Sequence, residues 1–376
     1  MIYLDNAATT FPKPPKVVSE VHRCITEYCG NQGRSSHPLG LAAAEQVYVC
    51  REAVSDFLGA GGPEQIVFTQ NTTYALNMAI RGAFGGGGHV LISQLEHNAV
   101  RRPICALAAE GKLTFDIFPV LGLDEATILH ELEARIRPDT RGVICTHASN
   151  VCSAVLPVTA IGALCRKRGL LFILDAAQSA GLIPIDMQKM GIDMLAAPAH
   201  KALYGIQGCG LLALTPGTLP PPLLTGGSGV DSLADEMPHD PPERYEAGTL
   251  PTPAIVGLLE GIRFLRERDM HDDLQCERKL FCATANRLAA LGCRIYASAY
   301  EGPVLLFDHP RIPSDALGHM LAKSGICVRT GLHCAPMAHR ALDTDTQGAV
   351  RVSFGRFNTV ADIDALWRAL KGALAL

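Results

Sequence analysis

The segment Leu170-Leu171-Phe172-Ile173-Leu174-Asp175 is a run of apolar residues that ends in a carboxylate. A run of this length predicts a strand from residue 170 to residue 175 that is covered on both faces. A helix-period segment, Pro157 to Arg168, comes before it, and a second apolar run, Met194 to Ala197, comes after it. This β-α-β order predicts a mostly parallel sheet with helices on its faces.

The same alternation extends over the first 215 residues. It predicts strands at Ile66 to Thr69, His89 to Ser93, Leu113 to Phe118 and Gly142 to Thr146, and helices at Tyr74 to Arg81 and Ala99 to Glu110. Residues 215 to 253 are rich in proline and glycine and are predicted to form a long loop. Helices at 254–268 and 274–291 are predicted next. We expect an α/β fold: a large domain with a mainly parallel sheet, and a smaller C-terminal α+β domain.

Composition and charge limit the classes of function. Charged residues make up 19% of the chain, hydrophobic residues 48%, and the net charge is −4. These values are typical of a globular enzyme and do not favour nucleic acid or an anionic membrane as a partner. No apolar stretch reaches the roughly 18 residues that a membrane helix needs, and we find no signal-peptide pattern. The 13 cysteines, without a Cys-x-x-Cys pair, predict cytoplasmic thiols and no disulfide framework or zinc ribbon.

Polar residues follow four of the predicted strands, and such sheets bind ligands at the carboxyl ends of their strands. Thr72 and Thr73 follow the strand that ends at Thr69 and begin a helix, where hydroxyl and N–H groups favour a phosphate. An ordinary helix cap is the alternative. His97 follows the strand that ends at Ser93, and its imidazole suits stacking on a flat ring or proton transfer. A loop histidine without a role gives the same pattern.

The other two positions are Asp175 and the pair His200-Lys201. A carboxylate at the end of a buried strand needs a partner. A protonated pyridine nitrogen is suitable, because the cationic ring is then a better electron sink. Gln178 is placed to donate a hydrogen bond to the phenolic oxygen of such a ring. Lys201 lies in a tight apolar context that disfavours the ammonium form, as an imine-forming amine requires. The alternatives are an aspartate that caps a helix and a surface lysine in a turn.

A candidate nucleophile lies near the C-terminus. The segment Arg329-Thr330-Gly331-Leu332-His333-Cys334-Ala335-Pro336 is predicted to form a shaped loop and not a helix, because of its glycine and its proline. Cys334, beside histidine and arginine in this loop, suits a thiolate nucleophile. Arg351 offers a planar fork for a substrate carboxylate. A zinc site made of His333, Cys334 and His339 is the competing hypothesis, but it lacks a spaced fourth ligand.

Together these motifs resemble a known family, the class V aminotransferase-fold enzymes that use pyridoxal 5'-phosphate (PLP), and specifically the cysteine desulfurases and selenocysteine lyases. The resemblance covers essentially the whole chain. It rests on Tyr3 to Thr10, Glu96-His97, Ser149-Asn150, Asp175 to Gln178, His200-Lys201, Glu246 to Thr249, Arg329 to Pro336 and Arg351 to Ser353. It implies the PLP-dependent transferase fold type I, for which we expect a large PLP-binding domain at 16–255 and a small domain at 1–15 and 256–376.

The resemblance implies a role for each residue around the cofactor ring. Lys201 would hold PLP as an internal aldimine and would be catalytic. Asp175 would pair with the pyridine nitrogen and Gln178 would contact the phenolic oxygen. His97 would stack on the ring and would be catalytic as well.

The resemblance also implies how the cofactor phosphate is held. Thr72, Thr73 and His200 would bind it, and Thr249 would reach it from the other subunit of a homodimer. One departure from the family lies here, because relatives often have a serine phosphate ligand where this chain has Pro198. One phosphate contact is therefore expected to be missing or replaced.

For the substrate, the resemblance implies that Asn150 and Arg351 bind it, the latter through its carboxylate. Cys334 would attack the substrate sulfur and leave as a persulfide, with Arg329 nearby. Many relatives have histidine where this chain has Leu332, so proton handling or partner docking near Cys334 is expected to differ. Leu332 and the loop at 226–229 resemble a less characterised bacterial subgroup.

The predicted function is PLP-dependent cysteine desulfuration, in which L-cysteine becomes L-alanine and the sulfur passes to Cys334. The alternatives are a selenocysteine lyase or another PLP-dependent C–S lyase. An aminotransferase or epimerase on this fold, and a non-catalytic sulfur-transfer scaffold, are further alternatives. The expected partners are an amino acid substrate, a second copy of the chain and a sulfur-acceptor protein, with no metal, nucleic acid or membrane. The expected location is the cytoplasm.

Overall fold

The computed structural model describes residues 1–33, 36–296, 302 and 304–374. The strands in these residues are β1 (Ile2–Tyr3), β2 (Ile66–Thr69), β3 (His89–Ser93), β4 (Thr114–Phe118), β5 (Thr140–Thr146), β6 (Leu171–Asp175), β7 (Met194–Pro198), β8 (Gly210–Leu214), β9 (Arg294–Ile295), β10 (Val304–Asp308), β11 (Ile326–Cys327), β12 (Arg329–Gly331) and β13 (Ala349–Ser353). The α-helices are α1 (Pro15–Arg23), α2 (Pro38–Leu58), α3 (Thr72–Phe84), α4 (Asn98–Ala109), α5 (Glu125–Glu133), α6 (Val158–Arg168), α7 (Met187–Met190), α8 (Thr252–Arg266), α9 (Met270–Ala290), α10 (Ser314–Lys323), α11 (Pro336–Ala341) and α12 (Val360–Leu374). A π-helical turn, Cys24–Tyr28, follows α1, and a 3-10 turn, Pro63–Gln65, precedes β2.

A seven-stranded sheet forms the centre of the larger part, in the order β2-β8-β7-β6-β5-β3-β4. The neighbouring pairs from β7 to β4 run parallel, whereas β8 runs antiparallel to both β7 and β2. The strand β6, which corresponds to the apolar run at 170–175, is the middle strand. The predicted α/β fold with a mainly parallel sheet is confirmed.

Side chains alternate across the sheet and fill two separate apolar layers. Phe172 and Leu174 of β6 face one layer, together with residues of α2, α6 and α8. Ile173, between them, faces the other layer, with residues of α3 and α4. All three are fully buried, and burial of each such side chain contributes about 1.5–3 kcal/mol. Covered faces on both sides explain why the strands are continuous apolar runs.

A smaller unit is built on the antiparallel sheet β12-β13-β10-β9, and β1 pairs with β11 beside it. Its core joins distant parts of the chain, including Leu4, Phe281 and Leu366. The helix α8 packs against α1 and α2, and the predicted domain limit at residue 255 falls inside α8. The expected limits, 16–255 for the large domain and 1–15 with 256–376 for the small one, stay a prediction.

Some helices begin at a residue other than the predicted one, because a capping side chain sets the boundary. The helix predicted at Tyr74 to Arg81 begins at Thr72, because the side chain of Asn71 accepts a hydrogen bond from the N–H of Tyr74.

Residues 215–251 form a loop without helix or strand, as the sequence predicts. Among the helices described, none combines the length and the apolar character needed to cross a membrane.

A buried ion pair holds the end of this long loop on the large sheet. The guanidinium of Arg51 pairs with the carboxylate of Glu246 at 2.5 Å, and both side chains are buried. Glu246 also accepts a hydrogen bond from the N–H of Phe68 in β2 at 2.6 Å. Arg51 in turn lies over the Phe68 ring, 4.6 Å from its centre. These contacts fix residue 246 just before the Gly248-Thr249 segment.

We expect Glu246→Ala to lower the free energy of unfolding by about 3–5 kcal/mol, because it leaves the Arg51 charge buried and unpaired. Chemical denaturation followed by fluorescence measures this loss. Glu133→Ala is the control, since the Glu133–Arg168 pair is well exposed and such pairs contribute about 0–1 kcal/mol. Equal effects of the two substitutions would contradict the assignment of Arg51–Glu246 as a critical buried pair.

Candidate active site

The carboxyl ends of β2, β3, β5, β6 and β7 meet at one edge of the large sheet, because these strands point the same way. A cavity at this edge is lined by residues that follow those strands. The predicted site residues among them are Thr72, Thr73, His97, Asn150, Asp175, Gln178, His200 and Lys201. Eight of the residues that the sequence motifs point to are thus brought together. Ligands bind at this edge in open α/β sheets in general.

Lys201 lies in this cavity with its amine in a desolvated setting. Burial lowers the pKa of Lys201 from 10.5 to about 8; nearby Asp175 opposes this shift, whereas Arg351 and Arg329 add to it. The preceding peptide is held by the N-terminal segment. The carbonyl of His200 accepts hydrogen bonds from Thr9 Oγ1 at 3.0 Å and Lys13 Nζ at 2.7 Å. A fixed amine that loses its proton readily is suited to imine formation and proton abstraction.

We expect the amine of Lys201 to become reactive well below the pH at which an ordinary lysine does. In cofactor-free protein, covalent attachment of an aldehyde at Lys201, trapped with borohydride, should rise with pH to a midpoint near pH 8. The reason is that only the neutral amine attacks a carbonyl. Peptide mapping locates the modified lysine, and exposed Lys189 serves as the internal reference. Asp175→Asn should lower the Lys201 midpoint further, since the Asp175 charge raises the pKa of Lys201. A midpoint near 10.5 would contradict this account.

Asp175 ends the central strand β6 and is buried. Its Oδ1 accepts a hydrogen bond from the N–H of Ala177 at 2.9 Å. Burial raises the pKa of the Asp175 carboxyl, and the Lys201 charge acts in the opposite direction. A cationic partner in the cavity would stabilise its charged form. Gln178, on the next turn, already donates from Nε2 to the carbonyl of Ala7 at 3.0 Å.

The N-terminus of α3 and His200 provide unpaired polar atoms on another side of the cavity. Within the part of the chain that the structure describes, neither the buried hydroxyl of Thr72 nor the buried Nδ1 of His200 has a hydrogen-bond partner. The backbone approaches closely here, since a Cβ atom at Gly210 would lie 2.9 Å from the Thr72 nitrogen. Such a helix terminus with orphan polar atoms is a suitable site for an anion. Pro198 lines the same cavity but offers no side-chain donor.

His97 caps α4, because its Nδ1 accepts a hydrogen bond from the N–H of Ala99 at 3.0 Å. Burial lowers the pKa of His97 to about 4, with further lowering by the Lys201 charge. The ring is therefore neutral near pH 7, with its proton on Nε2. Before it, Glu96 is fully buried and accepts hydrogen bonds from Ser93 Oγ at 2.5 Å and from Thr146 N–H at 2.8 Å. Burial raises the pKa of Glu96 to about 8.

Arg351, on β13 of the smaller unit, lies behind the cavity lining and contacts its residue Asn150. Its Nη1 donates to the carbonyl of Asn150 at 2.9 Å, and its Nη2 donates to Asp5 Oδ1 at 2.8 Å. The Nε atom is buried and has no hydrogen-bond partner among the described residues. The guanidinium therefore keeps free hydrogen-bond donors for an added carboxylate, and Asp5 is its internal counter-ion.

Cys334 lies on a segment that is more regular than the sequence predicts. The expected loop from Arg329 to Pro336 contains the short strand β12 at its start, and Pro336 is the first residue of α11. The expectation of a loop throughout is therefore wrong at its ends, since Arg329 pairs with β13 and proline is well tolerated in a first helical turn. Between them, His333 and Cys334 have left-handed φ angles of 50° and 56°.

This segment is tied to the cavity by backbone contacts. The carbonyl of Cys334 accepts a hydrogen bond from the N–H of Asn98 at 2.8 Å, and the carbonyl of His333 accepts one from Asn150 Nδ2 at 2.7 Å. Cys334 itself is exposed, and its Sγ lies 4.0 Å from Nη2 of Arg329. The thiol thus lies next to the cavity, beside the guanidinium of Arg329.

Thr249 is the one predicted cofactor contact that the fold does not bring to this cavity. It is exposed at the end of the long loop, and it is absent from the cavity lining of its own chain. Its assignment to a second subunit stays a prediction.

Some contacts of the site join distant parts of the chain, and the sequence does not reveal them. Asp5 belongs to a quoted motif, yet no local pattern predicts its pairing with Arg351. Lys13 lies outside every motif, and it reaches the carbonyl of His200 across 187 positions. The sequence suggests His339 only as a zinc ligand, whereas its ring bonds to that of His333. Each contact requires the tertiary structure.

Comparisons with known proteins cover the whole chain. Residues 2–366 match the family described as Aminotransferase class-V. A protein of Aeropyrum pernix named probable cysteine desulfurase is 34% identical over 401 residues, which cover 100% of this chain and 94% of that protein. Cysteine desulfurase IscS of Vibrio campbellii is 34% identical over 387 residues, with coverage of 96% and 90%.

Solved structures agree with these sequence comparisons. An apo structure of cysteine desulfurase from Thermococcus onnurineus NA1 matches with a TM-score of 0.91 at 28% identity and covers 100% of this chain and 94% of its own. Cysteine desulfurase CsdA from Escherichia coli, in an S-sulfonic acid form, matches with a TM-score of 0.87 at 28% identity, with coverage of 99% and 94%.

Proposed function

This chain belongs to the class-V aminotransferase family, and on that premise we propose that it is a PLP-dependent cysteine desulfurase that converts L-cysteine to L-alanine. One observation carries the proposal: a single cavity contains a readily deprotonated lysine, a buried aspartate and orphan phosphate-type donors, and a cysteine segment is bonded to its rim. The similarity to proteins named cysteine desulfurase over nearly full lengths supports the same activity.

The residues of the cavity fit PLP. The buried hydroxyl of Thr72 and Nδ1 of His200, which have no partner in residues 1–33, 36–296, 302 and 304–374, would bind its phosphate, beside Thr73 at the N-terminus of α3. Asp175 would pair with its ring nitrogen, and Lys201 would hold it covalently. When bound, PLP supplies an electron sink for the negative charge that develops on the substrate Cα.

The remaining residues bind the substrate and move its proton. Arg351 binds the carboxylate of the amino acid through the donors that Asp5 and Asn150 leave free. Asn150 lies between Arg351 and the Cys334 segment, so it aligns the bound substrate with the nucleophile. Lys201 removes the α-proton as a neutral amine, which its lowered pKa favours. His97 covers the cavity as a neutral ring.

Cys334 is the sulfur acceptor in this proposal. Its thiolate attacks the sulfur of the substrate, an S–S bond forms, and the C–S bond breaks with its electron pair left on the substrate carbon. That carbon takes up a proton, and Lys201 returns a proton to Cα, which gives alanine, while Cys334 carries a persulfide. The exposure of Cys334 supports transfer of this sulfur to a reductant or to an acceptor protein.

A homodimer is part of the proposal. Large apolar side chains are exposed on α1, the following π-helical turn and α2, which contact one another: Val18, Ile25, Leu39, Leu41 and Tyr48. Such a group of exposed apolar residues on one region favours a protein partner. A second copy would cover them and would bring Thr249 towards the phosphate of the first. Sedimentation of the purified protein tests this, and a monomer at micromolar concentration would refute it.

A cytoplasmic location is also part of the proposal. All 13 cysteines are free thiols in the structure, which suits a reducing compartment.

Substrate identity is tested by measuring alanine and sulfide from L-cysteine with a thiol reductant present. Equal amounts of both products support a desulfurase. Absence of alanine from cofactor-loaded protein, with alanine formed from L-selenocysteine, would replace this proposal by a selenocysteine lyase.

A further inference from the structure

Behind Cys334 lies a row of three buried polar side chains that belong to none of the roles above. Nδ1 of His333 lies 3.0 Å from Nε2 of His339, and Nδ1 of His339 lies 2.7 Å from Oγ1 of Thr344. At the other end, Nε2 of His333 lies 3.3 Å from the carbonyl oxygen of Arg329. All three residues are at most 4% exposed, and the two imidazole rings are nearly parallel, with their centres 5.2 Å apart.

The direction of these hydrogen bonds follows from the donors available. Burial lowers the pKa of His333 to about 3 and that of His339 to about 4, so each ring carries one proton near pH 7. The carbonyl of Arg329 only accepts, so His333 must donate from Nε2 and accept at Nδ1. His339 then donates from Nε2, and its Nδ1 accepts from the Thr344 hydroxyl. With the opposite direction, an unprotonated Nε2 of His333 would face the carbonyl oxygen of Arg329, and both atoms would be acceptors.

The hydroxyl of Thr344 can donate its proton to Nδ1 of His339. The carbonyl of His339 is the other acceptor within its reach, at 3.3 Å. That carbonyl already accepts hydrogen bonds from the N–H of Thr344 at 2.9 Å and of Leu342 at 3.2 Å. The row Thr344 to His339 to His333 to Arg329 is therefore fully satisfied, and loss of one member leaves buried polar atoms unpaired.

The row ends on the residues that surround the thiol. It fixes the carbonyl of Arg329, whose guanidinium lies 4.0 Å from the Cys334 sulfur. It also holds the His333 ring in place. The backbone of His333 has a left-handed conformation, which costs of order 1 kcal/mol or more for a residue other than glycine. That conformation turns the next residue, Cys334, towards the rim of the cavity.

We propose that His339 and Thr344 are positioning residues that act through His333 to hold Arg329 and Cys334 in register for sulfur transfer. This proposal rests on the proposed function of Cys334 as the sulfur acceptor. Neither residue touches the substrate or the cofactor, so both should affect the step that Cys334 carries out and leave cofactor attachment unchanged.

The first test compares His339→Leu, His339→Gln and Thr344→Val in the cofactor-loaded enzyme. His339→Leu should lower kcat for alanine formation about 10- to 100-fold, a loss typical of misplacement by about an ångström. KM should change much less, since Arg351 is untouched. His339→Gln should recover part of kcat, because its amide can still donate to His333 Nδ1. Thr344→Val should cause a smaller loss in the same direction. The absorbance of bound cofactor should be unchanged in all three.

A second test does not depend on turnover. Alkylation of Cys334 by iodoacetamide without substrate is followed in the tryptic peptide 330–340, in which it is the only cysteine. His339→Leu should change this rate at least about threefold, and His339→Gln should restore it. If the protein makes no alanine from cysteine but this change appears, the proposed function fails while the positioning role stands.

Two further variants separate positioning from general instability. His309 is a buried histidine outside the row, so His309→Leu should leave both readouts near those of the wild type. In the Arg329→Gln background, His339→Leu should lower kcat by a smaller factor than in the wild type, because both act on the same contact with Cys334. Full additivity, or equal losses from His309→Leu and His339→Leu, would overturn the proposal. So would unchanged kcat and alkylation in His339→Leu.

Discussion

Lys201→Ala should lower alanine formation by about 10²- to 10⁴-fold, the range associated with loss of a catalytic acid–base group. The variant loses both the amine that attaches the cofactor and the base that removes the α-proton. Lys201 is suited to both tasks because burial lowers its pKa to about 8, so that a useful fraction is neutral near pH 7. The measurement is alanine release together with the absorbance of protein-bound cofactor after gel filtration.

Lys189→Ala is the matched control for this substitution. Lys189 is exposed and pairs with Asp186 at the surface, 2.7 Å away, so its removal should leave both readouts intact. Soluble, folded Lys201→Ala protein that keeps a covalent cofactor and more than about a tenth of the activity would exclude Lys201 as the attachment site and base.

Cys334→Ser should lower desulfuration of cysteine by at least about 100-fold, a modest figure beside the losses seen when other enzymes lose their nucleophile. Serine keeps the size of the side chain, but its hydroxyl does not ionise near neutral pH and cannot accept sulfur as a persulfide. The absorbance of bound cofactor should survive, because Cys334 lies outside the cavity lining. Alanine and sulfide are measured together, and persulfide on peptide 330–340 is sought by mass spectrometry.

Cys276→Ser supplies the control, since Cys276 is an exposed thiol on α9 that belongs to no part of the proposed site. It should retain full activity and the persulfide on Cys334. Full activity in Cys334→Ser would rule out the persulfide step while leaving the assignment of Lys201 and the cofactor intact.

The sequence predicts the cavity well because its residues follow directly after strands. Apolar runs identify the strands, and parallel strands bring their carboxyl ends to one edge, so local patterns suffice to place Thr72, His97, Asp175 and Lys201 together. Nothing comparable predicts Asp5 beside Arg351, which are 346 positions apart. Local patterns contain no information on such pairs.

The cysteine segment shows a second limit. Glycine and proline mark a turn, but positive φ angles occur at His333 and Cys334 as well as at Gly331, and side chains make such backbone angles uncommon. The surrounding contacts impose them: the imidazole of His339 on one side, and Asn150 and the Asn98 N–H on the other. Conformations imposed by tertiary contacts are beyond local sequence patterns, and they are common at functional sites.

The pairing of Asp5 with Arg351 has a consequence for biosynthesis. Asp5 and Asn6 complete the site, but their partners Arg351 and Ser353 are translated 346 and 347 positions later. A nascent chain therefore lacks Arg351, the proposed carboxylate-binding residue, until β13 has been translated. Truncated translation products that lack β13 should contain Lys201 and Asp175 and yet be catalytically silent.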